Sequence, residues 1–169
     1  MRAPIEAGTT MRVLGIDHGG VRIGLALSDP TGTLATPLGV LERRRRLRQD
    51  LRRIAAIVQQ RDVELVVVGL PLEMDGTEGK KAREVRQFVA ALREVVGVPV
   101  VAWDERLTTV EAHARLREGG HRRRGRAARA DQAAAAIVLQ AYLDARRAGT
   151  VPDPAAGGTE AEPRSGTVS

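Results

Sequence analysis

RVLGIDHGGVRIGLALS, residues 12–28, carries the reading that decides the fold. Residues 12–17 (RVLGID) form a short apolar run that ends on a carboxylate. Residues 21–28 (VRIGLALS) alternate loosely, as a strand does, and His18-Gly19-Gly20 between the two runs is a turn signal. The pair predicts a β-hairpin whose first strand delivers Asp17 to its end. A second turn, Asp29-Pro30-Thr31-Gly32, leads into residues 33–40, a third predicted strand.

Downstream the period changes. Leu47, Leu51, Ile54, Ile57 and Val58 recur at helical spacing. Residues 64–69 (ELVVVG) form the continuous apolar run of a strand buried on both faces, a parallel-sheet pattern. Val85, Phe88, Val89 and Leu92 mark a second helix, and residues 99–103 another buried strand. Thr108-Thr109-Val110-Glu111 is a capping box that starts a helix running to about Glu118. Ala133, Ile137, Val138, Gln140, Ala141 and Leu143 predict a last helix from Asp131 to about Ala148. The order β-β-β-α-β-α-β-α-α predicts an α/β fold: antiparallel strands continued by crossovers into a mixed sheet flanked by helices.

With 169 residues, one domain is expected: a loose extension over 1–10, a folded domain over 11–148 and a disordered tail over 149–169, rich in Gly, Pro, Ser, Thr and Ala. No run of about 18 apolar residues is present and the first residues lack the apolar core of a secretory signal, so a cytoplasmic location without a membrane partner is expected. The absence of cysteine excludes disulfides, thiol catalysis and iron–sulfur ligation. The three histidines have no metal-ligand spacing, Ser28 lacks the frame of a hydrolase nucleophile, and there is no P-loop.

Charge points to a partner. Lys and Arg number 27 against 21 Asp and Glu, a net of +6, and 25 of the basic residues are arginine, the side chain whose fork suits phosphate. The ends carry none of this excess, so the folded part is basic and a polyanion, nucleic acid, is the expected partner. Phe88, Trp103 and Tyr142 are the only aromatics, so contact is expected through backbone and shape rather than base stacking. The densest patch is Arg122, Arg123, Arg124 and Arg126, with Arg129 beyond. Arg43–Arg46 at a helix start is a second contact or a solvated face.

The candidate chemistry is acidic. Asp17 sits at a strand end before Gly19 and Gly20, where open α/β sheets hold ligands. A carboxylate there can ligate a hard cation and glycines admit a phosphate, or it merely supports the turn. Asp104 and Glu105 follow another buried strand, and their side chains diverge, so that one can face a metal while the other holds the loop. Glu105 is the stronger site candidate and Asp104 the weaker. Asp131 reads locally as a cap or first-turn residue of the last helix. The loop from Gly69 through Pro71 to Gly76 and Thr77 is either a phosphate cradle or an ordinary strand-to-helix connection.

The pieces VLGIDHGGVRIGLALSDPTGTLATPL, VVVGLPLEMDGTEG, VVAWDERLTTVEA and DQAAAAIVLQAYLD, in this order, resemble the YqgF/RuvX family of Holliday-junction-resolvase-like proteins assigned to pre-16S rRNA maturation. The resemblance spans residues 12–144 and implies an RNase H-like fold. It places the family's acids on Asp17, Glu105 and Asp131, with His18 standing where the family often has an aromatic. It further implies that these three hold one or two Mg²⁺ or Mn²⁺ ions for in-line phosphodiester hydrolysis, with Asp17 between the ions and the arginines of 122–129 on the nucleic acid. The implied substrate is RNA near the 5′ end of pre-16S rRNA. The alternatives are a resolvase of four-way DNA, for which a weak homodimer stays open, a non-catalytic RNA-binding assembly factor, and a half of an actin-like nucleotide-binding fold.

Overall fold

The computed structural model describes residues 11–108 and 126–151, with side chains of the second stretch from Arg129 onward. The expectations for residues 1–10, for the helix after Thr108, for Arg122, Arg123 and Arg124, and for the tail beyond 151 lie outside these residues. Five strands form one sheet: β1 (Val13–His18), β2 (Arg22–Ser28), β3 (Ala35–Glu42), β4 (Leu65–Leu70) and β5 (Val100–Asp104), in the order β3-β2-β1-β4-β5. Strand β2 is antiparallel to both β1 and β3, whereas β1, β4 and β5 run parallel. Four strands, β1, β3, β4 and β5, therefore point the same way and end at one edge of the sheet. Open α/β sheets bind ligands beyond such carboxyl ends.

Helices cover both faces. α1 (Leu47–Gln60) and α2 (Lys80–Val96) pack on one side, where Leu14, Ile16, Ile23, Leu25, Val66 and Val68 meet Ile54, Phe88 and Leu92. α3 (Arg126–Arg147) packs on the other, where Val13, Ala26, Val67 and Trp103 meet Ala135, Leu139, Tyr142 and Leu143. β4 lies between neighbours and is buried along its whole length, which is why its sequence is apolar without alternation. Trp103 and Tyr142 meet edge to face, their ring centres 5.6 Å apart. No described helix is long and apolar enough to cross a membrane.

Two elements depart from the expected bounds by two residues or more. β3 begins at Ala35 and runs to Glu42. The carboxylate of Asp29 accepts the N–H groups of Thr33 (2.8 Å) and Leu34 (3.0 Å), so the turn holds those residues before the ladder starts. The strand then tolerates Pro37 because it is an edge strand, and its register shifts opposite Leu25 and Ala26. The last helix starts at Arg126, not Asp131. Arg-Ala-Ala-Arg-Ala is a run of strong helix formers, and it carries the helix backward past the acid. Asp131 is thus in the second turn, and its reading as a cap is corrected.

Candidate active site

Alternation along β1 sends Val13, Gly15 and Asp17 to the α3 side and Leu14, Ile16 and His18 to the α1/α2 side. Asp17 pairs across the hairpin with Gly24 of β2. On its other flank the parallel register Ile16↔Val68 continues to Gly69 of β4. Asp17 is therefore the middle of a row, Gly24–Asp17–Gly69, on three adjacent strands and one face. Both glycines are covered. A Cβ on Gly24 would lie 2.0 Å from the Asp131 carbonyl oxygen, so the second turn of α3 rests on β2. A Cβ on Gly69 would lie 2.6 Å from Glu105 Oε1, so the Glu105 side chain folds over β4. Strands lie about 4.8 Å apart, and the row brings Asp17, Glu105 and Asp131 within roughly two strand spacings.

Their electrostatics follow. Burial pushes the Asp17 carboxyl above the usual carboxylate range; the Lys81 ammonium opposes this and the Asp131 carboxylate adds to it. Burial likewise raises Glu105, with a further push from Asp17. Asp131 is drawn instead to Arg22, whose Nε donates to its Oδ2 at 2.7 Å. Among the described residues, no three acids gather closely enough to enclose an ion in this arrangement. The donor set is nevertheless all carboxylate oxygen. Two of its members are held in a half-buried place where their charge is disfavoured, and a hard cation would relieve that cost. The residues present fit Mg²⁺ or Mn²⁺ and do not fit a soft metal.

Residues 11–145 match the model of the family described as RuvX, Holliday junction resolvase. The chain belongs to the RuvX family. A relative from Anaeromyxobacter sp., provisionally named pre-16S rRNA nuclease, is 50% identical over 138 residues, covering 82% of this chain and all of the relative. A second of the same provisional name, from Frankia casuarinae, is 46% identical over 162 residues, covering 90% and 80%. Among solved structures, T. thermophilus RuvC in complex with Holliday junction substrate superposes with a TM-score of 0.62 at 19% identity, covering 83% of this chain and 97% of that one. The fold of this RuvX chain is RNase H-like.

The other expected site residues divide. Asp104 points away from the row, since Trp103 before it faces α3. Its carboxylate takes the backbone N–H of Arg106 (2.9 Å) and the Arg106 guanidinium at Nε (3.1 Å) and Nη2 (2.8 Å), contacts that hold its pKa down. Arg106 Nη1 also reaches Met74 O at 3.4 Å, so the pair fastens the turn carrying Glu105 to the loop after β4. The phosphate cradle is corrected. Gly69 lies inside β4 beneath Glu105, and Pro71 has no N–H to offer. The amides of Gly19, Gly76 and Thr77 are spent on Arg22 O (2.9 Å), Glu73 O (2.8 Å) and Asp75 Oδ1 (2.9 Å). Gly20 is exposed at the hairpin tip. Arg126 and Arg129 belong to α3, with Arg129 exposed two residues before Asp131.

Two residues at the site escape a reading of the sequence. Arg22 opens β2 and meets Asp131 across 109 residues, which no local pattern announces. Lys81, exposed in the first turn of α2, acts on both Asp17 and Glu105. Its only signal is that Lys80 and Lys81 are the two lysines of an arginine-dominated chain.

His18 is buried on the opposite face, its ring 4.4 Å from that of Phe88. Burial and then the Arg43 charge push its pKa from 6.5 to about 4. The unfolded chain therefore binds the proton first. The stability that neutral His18 supports is complete above pH 6.5 and is lost as pH falls toward 4, up to about 3 kcal/mol. His18→Phe keeps the ring contact and removes the proton. Urea midpoints at neutral pH and near pH 4.5 should drop much less in this variant than in the unaltered protein; equal drops would refute the assignment.

Proposed function

We propose that this chain is a divalent-cation-dependent endonuclease that hydrolyses RNA phosphodiester bonds in 5′-end maturation of pre-16S rRNA. The row Gly24–Asp17–Gly69 carries the reading, because it gathers carboxylates from three separate elements over one face at the carboxyl edge of the sheet, in a chain of net charge +6. The provisional names of the relatives support the RNA substrate. Asp17, Glu105 and Asp131 would hold one or two Mg²⁺ or Mn²⁺ ions, with Asp17 in the middle. Bound there, a cation supplies an activated water and neutralises the charge of the displaced oxygen.

The chain's own groups do the rest. Asp17 and Glu105 must be ionised to hold a cation, and because burial raises both carboxyls in the metal-free protein, protons would compete with the cation for them as pH falls. Arg22 holds Asp131 in place and is a cation at the edge where the phosphate arrives. Arg126 and Arg129, with Arg122, Arg123 and Arg124 preceding them in sequence, would grip the backbone beside the bond. No side-chain nucleophile is required. The overall balance is hydrolysis: water oxygen bonds to phosphorus, one phosphorus–oxygen bond breaks, and the departing oxygen takes a proton.

The family description favours a second reading, cleavage of four-way DNA junctions. One experiment separates them: cleavage of a pre-16S rRNA 5′ fragment and of a four-way junction, each with Mg²⁺, with Mn²⁺ and with EDTA. Metal-dependent cleavage of the RNA is expected. Cleavage of the junction alone transfers the function to DNA resolution. Binding of the RNA with no cleavage in any metal leaves a non-catalytic assembly factor.

A further inference from the structure

The arginine run after β3 plays no part in the site described above. Arg43, Arg44, Arg45, Arg46 and Arg48 are all exposed. Arg43 is a pin. Its backbone N–H donates to Val21 O at 2.9 Å, and its guanidinium donates to the carbonyls of Gly19 (3.2 Å) and Gly20 (3.0 Å). The run is thereby fastened to the turn that follows Asp17. The nearby acid is already engaged. Asp50 is buried, accepts the Arg44 backbone N–H at 3.1 and 3.2 Å, and pairs with Arg53 at 3.4 Å. Among the described residues, no hydrogen bond or ion pair holds the guanidinium groups of Arg44, Arg45, Arg46 and Arg48.

Four unneutralised like charges within five positions repel one another, and the positive end of the α1 dipole adds to the repulsion. The arrangement costs stability in the free protein, and a polyanion laid across it removes that cost. Its location is also specific. β1 and β3 end at the same edge with only β2 between them; Asp17 stands level with Gly24 and Val40, and Arg44 follows Val40 by four residues, so the run begins roughly 15 Å from Asp17, or about four to five nucleotides of a helical strand. No aromatic side chain accompanies it, which suits phosphates and not bases.

We propose that Arg44, Arg45, Arg46 and Arg48 form a sequence-independent track for the phosphate backbone of the substrate strand, a few nucleotides from the bond addressed at Asp17. The track rests on the nuclease reading for its direction and on its own charge for its binding.

The test measures binding of an oligouridine RNA in EDTA at a series of salt concentrations, for the full chain and three variants. Changing the four arginines together to glutamine is expected to lower affinity about tenfold or more and to flatten the log K against log salt slope by about 3, near 0.7 per phosphate contact. Changing the same four to lysine should restore most of the slope, which a folding defect would not. Arg61→Gln with Arg147→Gln, exposed at other places, should leave the slope as it was. In cleavage assays the glutamine variant's defect should fall chiefly on KM. An unchanged slope and affinity in the glutamine variant would overturn the track. So would a loss that lysine does not restore, or loss of binding to a polyglutamate peptide with RNA binding intact. Failure of the unaltered protein to cleave any RNA removes the nuclease reading, while the salt slopes still decide whether the track binds RNA.

Discussion

Asp17→Asn is expected to lower RNA cleavage about 10³-fold or more, equivalent to about 4 kcal/mol of transition-state stabilisation, while RNA affinity in EDTA stays at the unaltered level. The amide matches the carboxylate in shape and removes its charge, so packing on β1 survives and the centre of the acidic row is lost. The same substitution should raise the melting temperature. Asp17 has a raised pKa in the fold. Its contribution to stability is fully present below the unfolded value of 3.8 and is lost as pH rises through the folded value, so at neutral pH the ionised group is a burden. Asparagine carries no such burden. Added Mg²⁺ should stabilise the unaltered protein through binding to the folded state and should do so much less in the variant. Cleavage that persists in Asp17→Asn, or a melting temperature that falls, contradicts this account of Asp17.

Gly24→Ala is expected to cost about 3 kcal/mol or more, a drop in melting temperature of roughly 6–12 °C for a chain of this size, and to abolish cleavage as well. The added Cβ would meet the Asp131 carbonyl oxygen at 2.0 Å, far inside contact distance. Backbone cannot rotate out of the way as a long side chain can. Either the first turns of α3 lift from β2, carrying Asp131 off Arg22 and away from Asp17, or the hairpin twists and moves Asp17 itself. Stability and chemistry should therefore fail together. Gly39 offers the contrast: it lies in the edge strand with nothing within 4 Å of the place an added methyl group would take, so Gly39→Ala should be mild. Thermal melts and cleavage rates on both variants check the prediction, and a Gly24→Ala protein that melts and cleaves normally would refute the close approach.

Much of this is legible in the sequence because it is local. The hairpin of residues 12–28, the continuous apolar run of β4 and the helical spacing through Phe88 each record one element's burial, and each element forms where its pattern lies. Asp17 and Glu105 are visible because strand ends and chain reversals are marked by glycine, proline and paired acids. What stays hidden is what depends on partners distant in the chain. Gly24 and Gly69 read as loose spots in strands, yet they are where α3 and Glu105 come down on the sheet. Asp131 reads as a cap because the helix formers before it look like the end of a charged loop. The Arg22 contact exists only after β2 and α3 meet. Glycine amides that look free for phosphate are already bonded within their own turns, a competition that composition does not reveal.

The most direct test of the central claim is Mn²⁺ binding, followed by electron paramagnetic resonance, to the unaltered protein and to Asp17→Asn, Glu105→Gln and Asp131→Asn separately. If the three carboxylates serve one centre, the unaltered protein binds Mn²⁺ and each single change weakens that binding. If Mn²⁺ fails to bind, or binds equally to all four proteins, the acidic row across β2, β1 and β4 is not a metal centre and the proposed chemistry is wrong.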